Sequence, residues 1–166
     1  MRRIPGLLLS CSAASLAGCL YGFAGGGLPP GIKTVAVLPF ENLTPEPTLT
    51  QEINRAVREA VESRLGLRQA GEAQADAVVR GTIQRYEPDV PIAFGSDQEK
   101  GVQVSRRKVQ ITVNVQIMDQ KQNKVLWERQ GLMVEGDYEP NREADGRKKA
   151  LDRLITNIVD GAQSQW

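Results

Sequence analysis

Val109, Ile111, Val113, Val115 and Ile117 alternate without a break with Gln110, Thr112, Asn114 and Gln116. Side chains of an extended chain point to opposite faces in turn, so this segment is a strand with one apolar and one polar face. Such a strand fixes the register of its neighbours, because a slip of one residue would turn every Val and Ile to water. Its sheet must be covered on one side and open to water on the other. The chain has to supply the cover.

Two segments supply it. Leu49, Ile53, Ala56, Val57, Ala60, Val61 and Leu65 recur at helical spacing over residues 49–65. Thr48 and Gln51 fit a capping box, and Gly66 sits where a left-handed cap is wanted. Arg55 with Glu59 and Arg58 with Glu62 make i,i+4 pairs on the wet face. Residues 141–162 form a second helix, with Leu151, Leu154, Ile155, Ile158, Val159 and Ala162 as its stripe. Asn141 is its expected N-cap, and Gly146 weakens its first turns.

Three further strands complete the pattern. Residues 34–40 are a continuous apolar run in which Pro39 ends the pairing. In residues 77–86, Arg80, Thr82 and Gln84 alternate with Val79, Gly81 and Ile83. Residues 124–134 return from a hairpin turn at 119–123, with Trp127 in the core and a bulge at Gly131. Residues 87–101 carry Pro88, Pro91, Gly95 and Gly101 and read as a long mobile loop. The order is β-α-β-β-β-α. The expected fold is α+β: a two-layer sandwich with two helices packed on one face of a four-stranded, largely antiparallel sheet. Arg80, Thr82, Gln84, Gln110, Thr112, Asn114 and Gln116 would line the open face. The four from residues 110–116 are the expected partner-docking set, because that face is polar and has no helix over it.

Ahead of this domain stand Arg2 and Arg3, a short apolar stretch from Ile4 to Leu16, and then Leu16-Ala17-Gly18-Cys19. The order resembles a bacterial lipoprotein leader with its lipobox, and it is too short for a stable span. It implies cleavage before Cys19 and acylation of that residue, with several chains giving stable anchoring. Leu20 follows the Cys where an Asp would change the sorting, so the outer membrane is the expected location. The expected division is 1–18 leader, 19–31 acylated Cys and flexible Gly/Pro tether, and 32–166 a single α/β domain. The tether's glycines lack the preceding strand and the closing Lys-Ser/Thr of a phosphate cradle.

Composition narrows the chemistry. Lys plus Arg is 21 against 20 for Asp plus Glu, and without Arg2 and Arg3 the balance is 19 to 20. That gives no basis for nucleic-acid binding. The chain has no histidine, and its two cysteines are Cys11 in the leader and Cys19 at the anchor. A histidine triad is therefore impossible, a disulfide framework is excluded, and metal sites lose their commonest ligands. The expectation is a non-catalytic protein with no cofactor and no metal. Glu135, Asp137 and Glu139 read as a solvated loop before a helix N-terminus. Arg106, Arg107 and Lys108 stand together before the alternating strand, with Lys121 and Lys124 at its far end. These cations either bind phosphates of an anionic lipid or blunt a sheet edge.

In sequence order the pieces resemble a known family. Cys19-Leu20-Tyr21-Gly22-Phe23, Leu28-Pro29-Pro30-Gly31-Ile32-Lys33-Thr34-Val35-Ala36-Val37 and Phe40-Glu41-Asn42 resemble the start of the lipopolysaccharide-assembly lipoprotein family LptE. Ala75-Asp76-Ala77-Val78-Val79-Arg80-Gly81-Thr82-Ile83, the alternating strand and Val125-Leu126-Trp127-Glu128 are similar to its middle. The resemblance implies an outer-membrane lipoprotein that plugs a large LptD-like β-barrel and assists lipopolysaccharide delivery. It implies lipopolysaccharide as a ligand, with Arg106, Arg107, Lys108 and Lys124 matched to the basic site. The first-strand motif also resembles other envelope lipoproteins, and the alternative it leaves is an adaptor of a secretion pore or a cell-wall synthase.

Overall fold

The computed structural model describes residues 28–97 and 101–164. The leader, Cys19, most of the Gly/Pro tether and Trp166 lie outside the described residues. The elements are β1 (Thr34–Val37), β2 (Glu41–Asn42), α1 (Thr48–Ser63), β3 (Arg68–Gln69), a 3-10 turn (Glu72–Gln74), β4 (Ala77–Asp97), β5 (Gly101–Asp119), β6 (Lys124–Tyr138) and α2 (Glu143–Ser164).

They form one six-stranded mixed sheet in the order β3-β1-β4-β5-β6, with β2 also paired to β4. β1 runs parallel to β3 and β4, and β2 parallel to β4. Only β4, β5 and β6 are antiparallel neighbours. This corrects the expected four-stranded, largely antiparallel sheet. The two extra strands are each two residues long, too short to show any alternation. The parallel pairing had a signal in β1. Val35 and Val37 enter the main core, while Ala36 packs with Ala75 and Val78 in a smaller cluster. A strand covered on both faces is the signature of parallel pairing.

Val109, Ile111, Val113, Val115 and Ile117 are almost fully buried, as their alternation requires. Leu49, Ile53, Val57 and Val61 of α1 and Leu154, Ile158 and Ala162 of α2 join them in one core, with Trp127. Gly66 takes the left-handed conformation expected of it, with φ of +66°. The expected capping box does not form. Glu46 accepts from the Thr48 amide at 3.3 Å and hydroxyl at 2.5 Å, and Pro47 stands at the cap. Asn141 is not a cap either: it sits in a turn at φ +68°, and α2 begins at Glu143. Arg58 donates to the Val37 carbonyl, so it is not an i,i+4 partner of Glu62.

Of the expected loop over 87–101, residues 87–97 and Gly101 are strand, and 98–100 lie outside the described residues. β4 runs through to Asp97 and β5 starts at Gly101. The prolines are tolerated because β4 loses its second neighbour after the β2 pair at Ile83, so Pro88 and Pro91 stand on an edge. Register slips between Glu87 and Val90, and between Pro91 and Ala93, absorb them. Beyond Arg107, which pairs with Tyr138, β5 keeps only β4 as partner, and the hairpin leaves the sheet as a two-stranded ribbon.

β6 carries two slips. Arg129 faces Val115 while Leu132 faces Val113, which leaves an extra residue at the expected bulge, where Gly131 has φ +61°. A second slip beside Met118 brings consecutive Leu126 and Trp127 both into the core. Glu135 and Asp137 also belong to β6 and not to a loop.

Candidate functional site

The open face is built by β4, β5 and β6. Thr82 stands opposite Asn114, and Arg80 opposite Gln116. A register slip follows Ile83, so that Arg85, and not the expected Gln84, pairs with Thr112. Gln110, Thr112, Asn114 and Gln116 are all half-buried on this face. Their hydrogen bonds run across the strands. Arg80 Nε and Nη2 donate to Gln116 Oε1 at 2.8 and 2.6 Å, and Gln116 Nε2 donates to Glu128 at 3.4 Å. Asn114 Oδ1 accepts the Gly131 amide at 2.7 Å, which ties the β6 bulge to the middle of β5. Thr82 donates to Glu41 at 3.4 Å.

These residues rim a shallow groove of about 290 Å³ over Gly81. A Cβ on Gly81 would lie 2.3 Å from the Phe40 ring and 2.5 Å from the Asn114 carbonyl. Gly81 alternates with Arg80 and Thr82, so this Cβ would point to the core side with Val79 and Ile83, and only glycine leaves room for the buried Phe40 ring there.

The basic residues divide into two places. Arg106, Arg107 and Lys108 lie where β6 ends, and Lys124 pairs with Asp119 at the other end of β5. At strand rise the two places are roughly 40 Å apart. Each member of the trio has an acid beside it. Arg106 faces Asp137 at 3.6 Å and Lys108 faces Glu135 at 2.6 Å, while Arg107 pairs closely with Asp89. The Asp89 contact raises the pKa of Arg107 further. Tyr138 donates to the Pro88 carbonyl at 2.6 Å, and burial first, then Asp89, pushes its phenol pKa up. Lys124 also has an interaction of its own. The sequence showed the cations but not these partners, because the pairing depends on strand register.

The fold adds three cations that the sequence did not single out. Arg142, Lys148 and Lys149 join Arg106 around a cavity of about 560 Å³, with Asp137 and Tyr138 in its wall. Nearby, Arg147 joins Glu52 of α1 at 3.2 Å and Glu143 at 3.5 Å, and Tyr86 donates to Glu143 at 2.6 Å. This network ties both helices to β4 where the ribbon departs. Desolvation first, then the Glu143 bond, raises the Tyr86 pKa well above its ordinary value.

Among the described residues no three His, Cys, Asp or Glu side chains come together to hold a metal ion. Among them, too, no helix is long and apolar enough to cross a membrane.

The family model of LptE, lipopolysaccharide-assembly, matches residues 32–163, almost the whole folded domain. The chain belongs to the LptE family. No curated protein matches it in sequence. Among solved structures, the PelC dodecamer from Paraburkholderia phytofirmans superposes with a TM-score of 0.51 at 16% identity, covering 84% of this chain and 95% of that one. An uncharacterized lipoprotein B from Nitrosomonas europaea gives 0.52 at 12% identity, covering 89% and 91%. At such identities these likenesses concern the fold of this LptE-family chain and nothing more.

Proposed function

We propose that this chain is an outer-membrane lipoprotein, held by acyl groups on Cys19, that seats in a large LptD-like β-barrel and assists lipopolysaccharide assembly without catalysis. The observation that carries the reading is the LptE match over residues 32–163. The geometry supports it. Both helices are spent on covering one sheet face, so the other face is free for a partner. That face is polar, and most of its hydrogen-bonding groups already have partners, which suits the water-lined interior of a barrel. Gln110, Thr112, Asn114 and Gln116 are the docking residues in this reading.

The trio Arg106, Arg107 and Lys108 is the proposed phosphate-binding set, and Lys124 acts apart from it. A lipid phosphate would compete with Asp137, Asp89 and Glu135. The Arg106–Asp137 pair is open to water, where such pairs are worth only about 0–1 kcal/mol, so it exchanges for a phosphate most readily, while the partly buried Lys108–Glu135 pair holds more firmly.

The test is co-purification of the tagged full chain from detergent-solubilised membranes at native expression. A large β-barrel in stoichiometric yield is the expected result. Recovery of the chain alone, of a homo-oligomeric pore, or of a cell-wall synthase would overturn the proposal.

A further inference from the structure

Among the described residues β6 is the last strand of the sheet, and none of them places a strand along its outer edge. An open edge is a template for another chain. On β6 the backbone groups of Met133, Glu135 and Asp137 face outward, because polar groups of a strand alternate between its two sides. Two of those three carbonyls are occupied from α2. Arg153 Nη1 donates to the Glu135 carbonyl at 2.8 Å, and Lys149 Nζ donates to the Asp137 carbonyl at 2.8 Å.

The spacing is a geometric match. Residues 149 and 153 are four apart, about 6 Å along a helix. Residues 135 and 137 are two apart, between 6 and 7 Å along a strand by the usual rise of about 3.3 Å. Gly136, between the two carbonyls, lets the helix come close enough. A Cβ there would fall 1.8 Å from the Gly146 carbonyl oxygen and 2.7 Å from the Ala150 amide. The rest of β6 is broken by the slips at Leu126 and Gly131. The other long edge, on β4, is interrupted by Pro88 and Pro91. Met133, 54% exposed, stands at the rim of the groove that holds Arg153.

We propose that Lys149 and Arg153 form an edge lock, two side-chain donors that occupy the outward carbonyls of β6 and stop a second copy of this chain from adding a strand there. A second copy is the occupant the lock excludes, because two copies of one edge can pair antiparallel about a two-fold axis, each supplying the outward N–H and C=O groups that the other lacks.

The experiment compares the full acylated chain in detergent with its Lys149→Ala, Arg153→Ala double variant, which has no side-chain donor at either position, by light scattering after gel filtration. Far-UV circular dichroism checks that the fold is kept. The variant is expected to show at least a tenfold larger dimer fraction at equal concentration. Adding Met133→Pro, which removes one outward N–H, is expected to restore the monomer. A double variant that stays as monomeric as the wild type overturns the lock. A dimer that persists with Pro at 133 overturns its placement on this edge. Arg153→Lys with Lys149→Arg keeps both donors and should remain monomeric. If it dimerises too, the donors are not the cause.

Discussion

The Asp76 carboxylate collects bonds from two distant parts of the chain. Oδ2 accepts the amides of Lys33 and Thr34 and the Thr34 hydroxyl, each at 2.9 Å, while Oδ1 faces Lys121 Nζ at 2.5 Å. It therefore fixes the chain where the tether enters β1, and it joins that point to the β5–β6 turn. The Lys121 contact first, then the Lys33 amide, holds its carboxyl well below the usual carboxylate range. A group whose pKa is depressed by folding stabilises in full above its unfolded value, near 4, and loses that contribution as pH falls toward the folded value. Asp76→Asn is expected to lower the melting temperature at pH 7 and to flatten its fall between pH 5 and pH 2, measured by thermal melts across that range. Lys121→Ala should cost less, because the lysine side chain is 71% exposed. The trio at the opposite end of the sheet behaves differently. Arg106→Ala with Lys108→Ala is expected to weaken binding to lipopolysaccharide vesicles at low salt. It should shift stability by no more than about 0.5 kcal/mol for Arg106, whose pair is open to water. Equal binding by both proteins would remove the trio from the ligand site.

How far the elements were legible depends on whether their signal was local. The alternation of residues 109–117 and the two helical stripes needed no partner to be recognised, because periodicity alone tells which face is buried. The open-face residues Gln110, Thr112, Asn114 and Gln116 follow from the same alternation. The slip that replaces Gln84 by Arg85 does not, since it belongs to a pairing between strands. Thr48 and Gln51 carried a capping motif that lost to Glu46, two residues earlier. Pro88 and Pro91 looked like breakers because a lone sequence does not show which strands are edges. Gly146 looked like a weakness of α2, yet the space is used. A Cβ on Gly146 would lie 2.5 Å from Tyr138 and 2.8 Å from the Gly136 carbonyl oxygen. Gly136→Ala is therefore expected to destabilise by about 3 kcal/mol, the upper end of what overpacking costs, since backbone must move and not a flexible side chain. Gly31→Ala is the control: nothing lies within 4 Å of its added carbon. Chemical denaturation of both variants checks the difference, and similar midpoints would mean that α2 does not sit this close to β6.

In the molecule as a whole, the sheet separates two tasks. Its helix side holds the core and has little left to offer a partner. Its open side holds cross-strand polar pairs that contribute little to stability, and it lies between edges interrupted by prolines, bulges and the two α2 cations. If the open face is where a barrel wall docks, a charge placed at its centre should abolish docking without unfolding the chain. Thr112 is the position to choose. It is half-buried, it stands opposite Arg85 and Met133, and it accepts no bond that the fold requires. Thr112→Glu is expected to change stability by about 0.5 kcal/mol or less, as surface substitutions do. Burying that carboxylate against a partner, with Arg85 across the strand offsetting part of its charge, costs about 2–3 kcal/mol, and a loss of that size lowers capture of the barrel by roughly a hundredfold. Arg55→Glu, on the exposed side of α1, provides the comparison: a change of charge twice as large on the face directed away from the sheet. Capture lost with Thr112→Glu and kept with Arg55→Glu would place the contact on the open face. The reverse pattern would move the partner to the helices, and the polar ladder would then be no more than a hydrated surface.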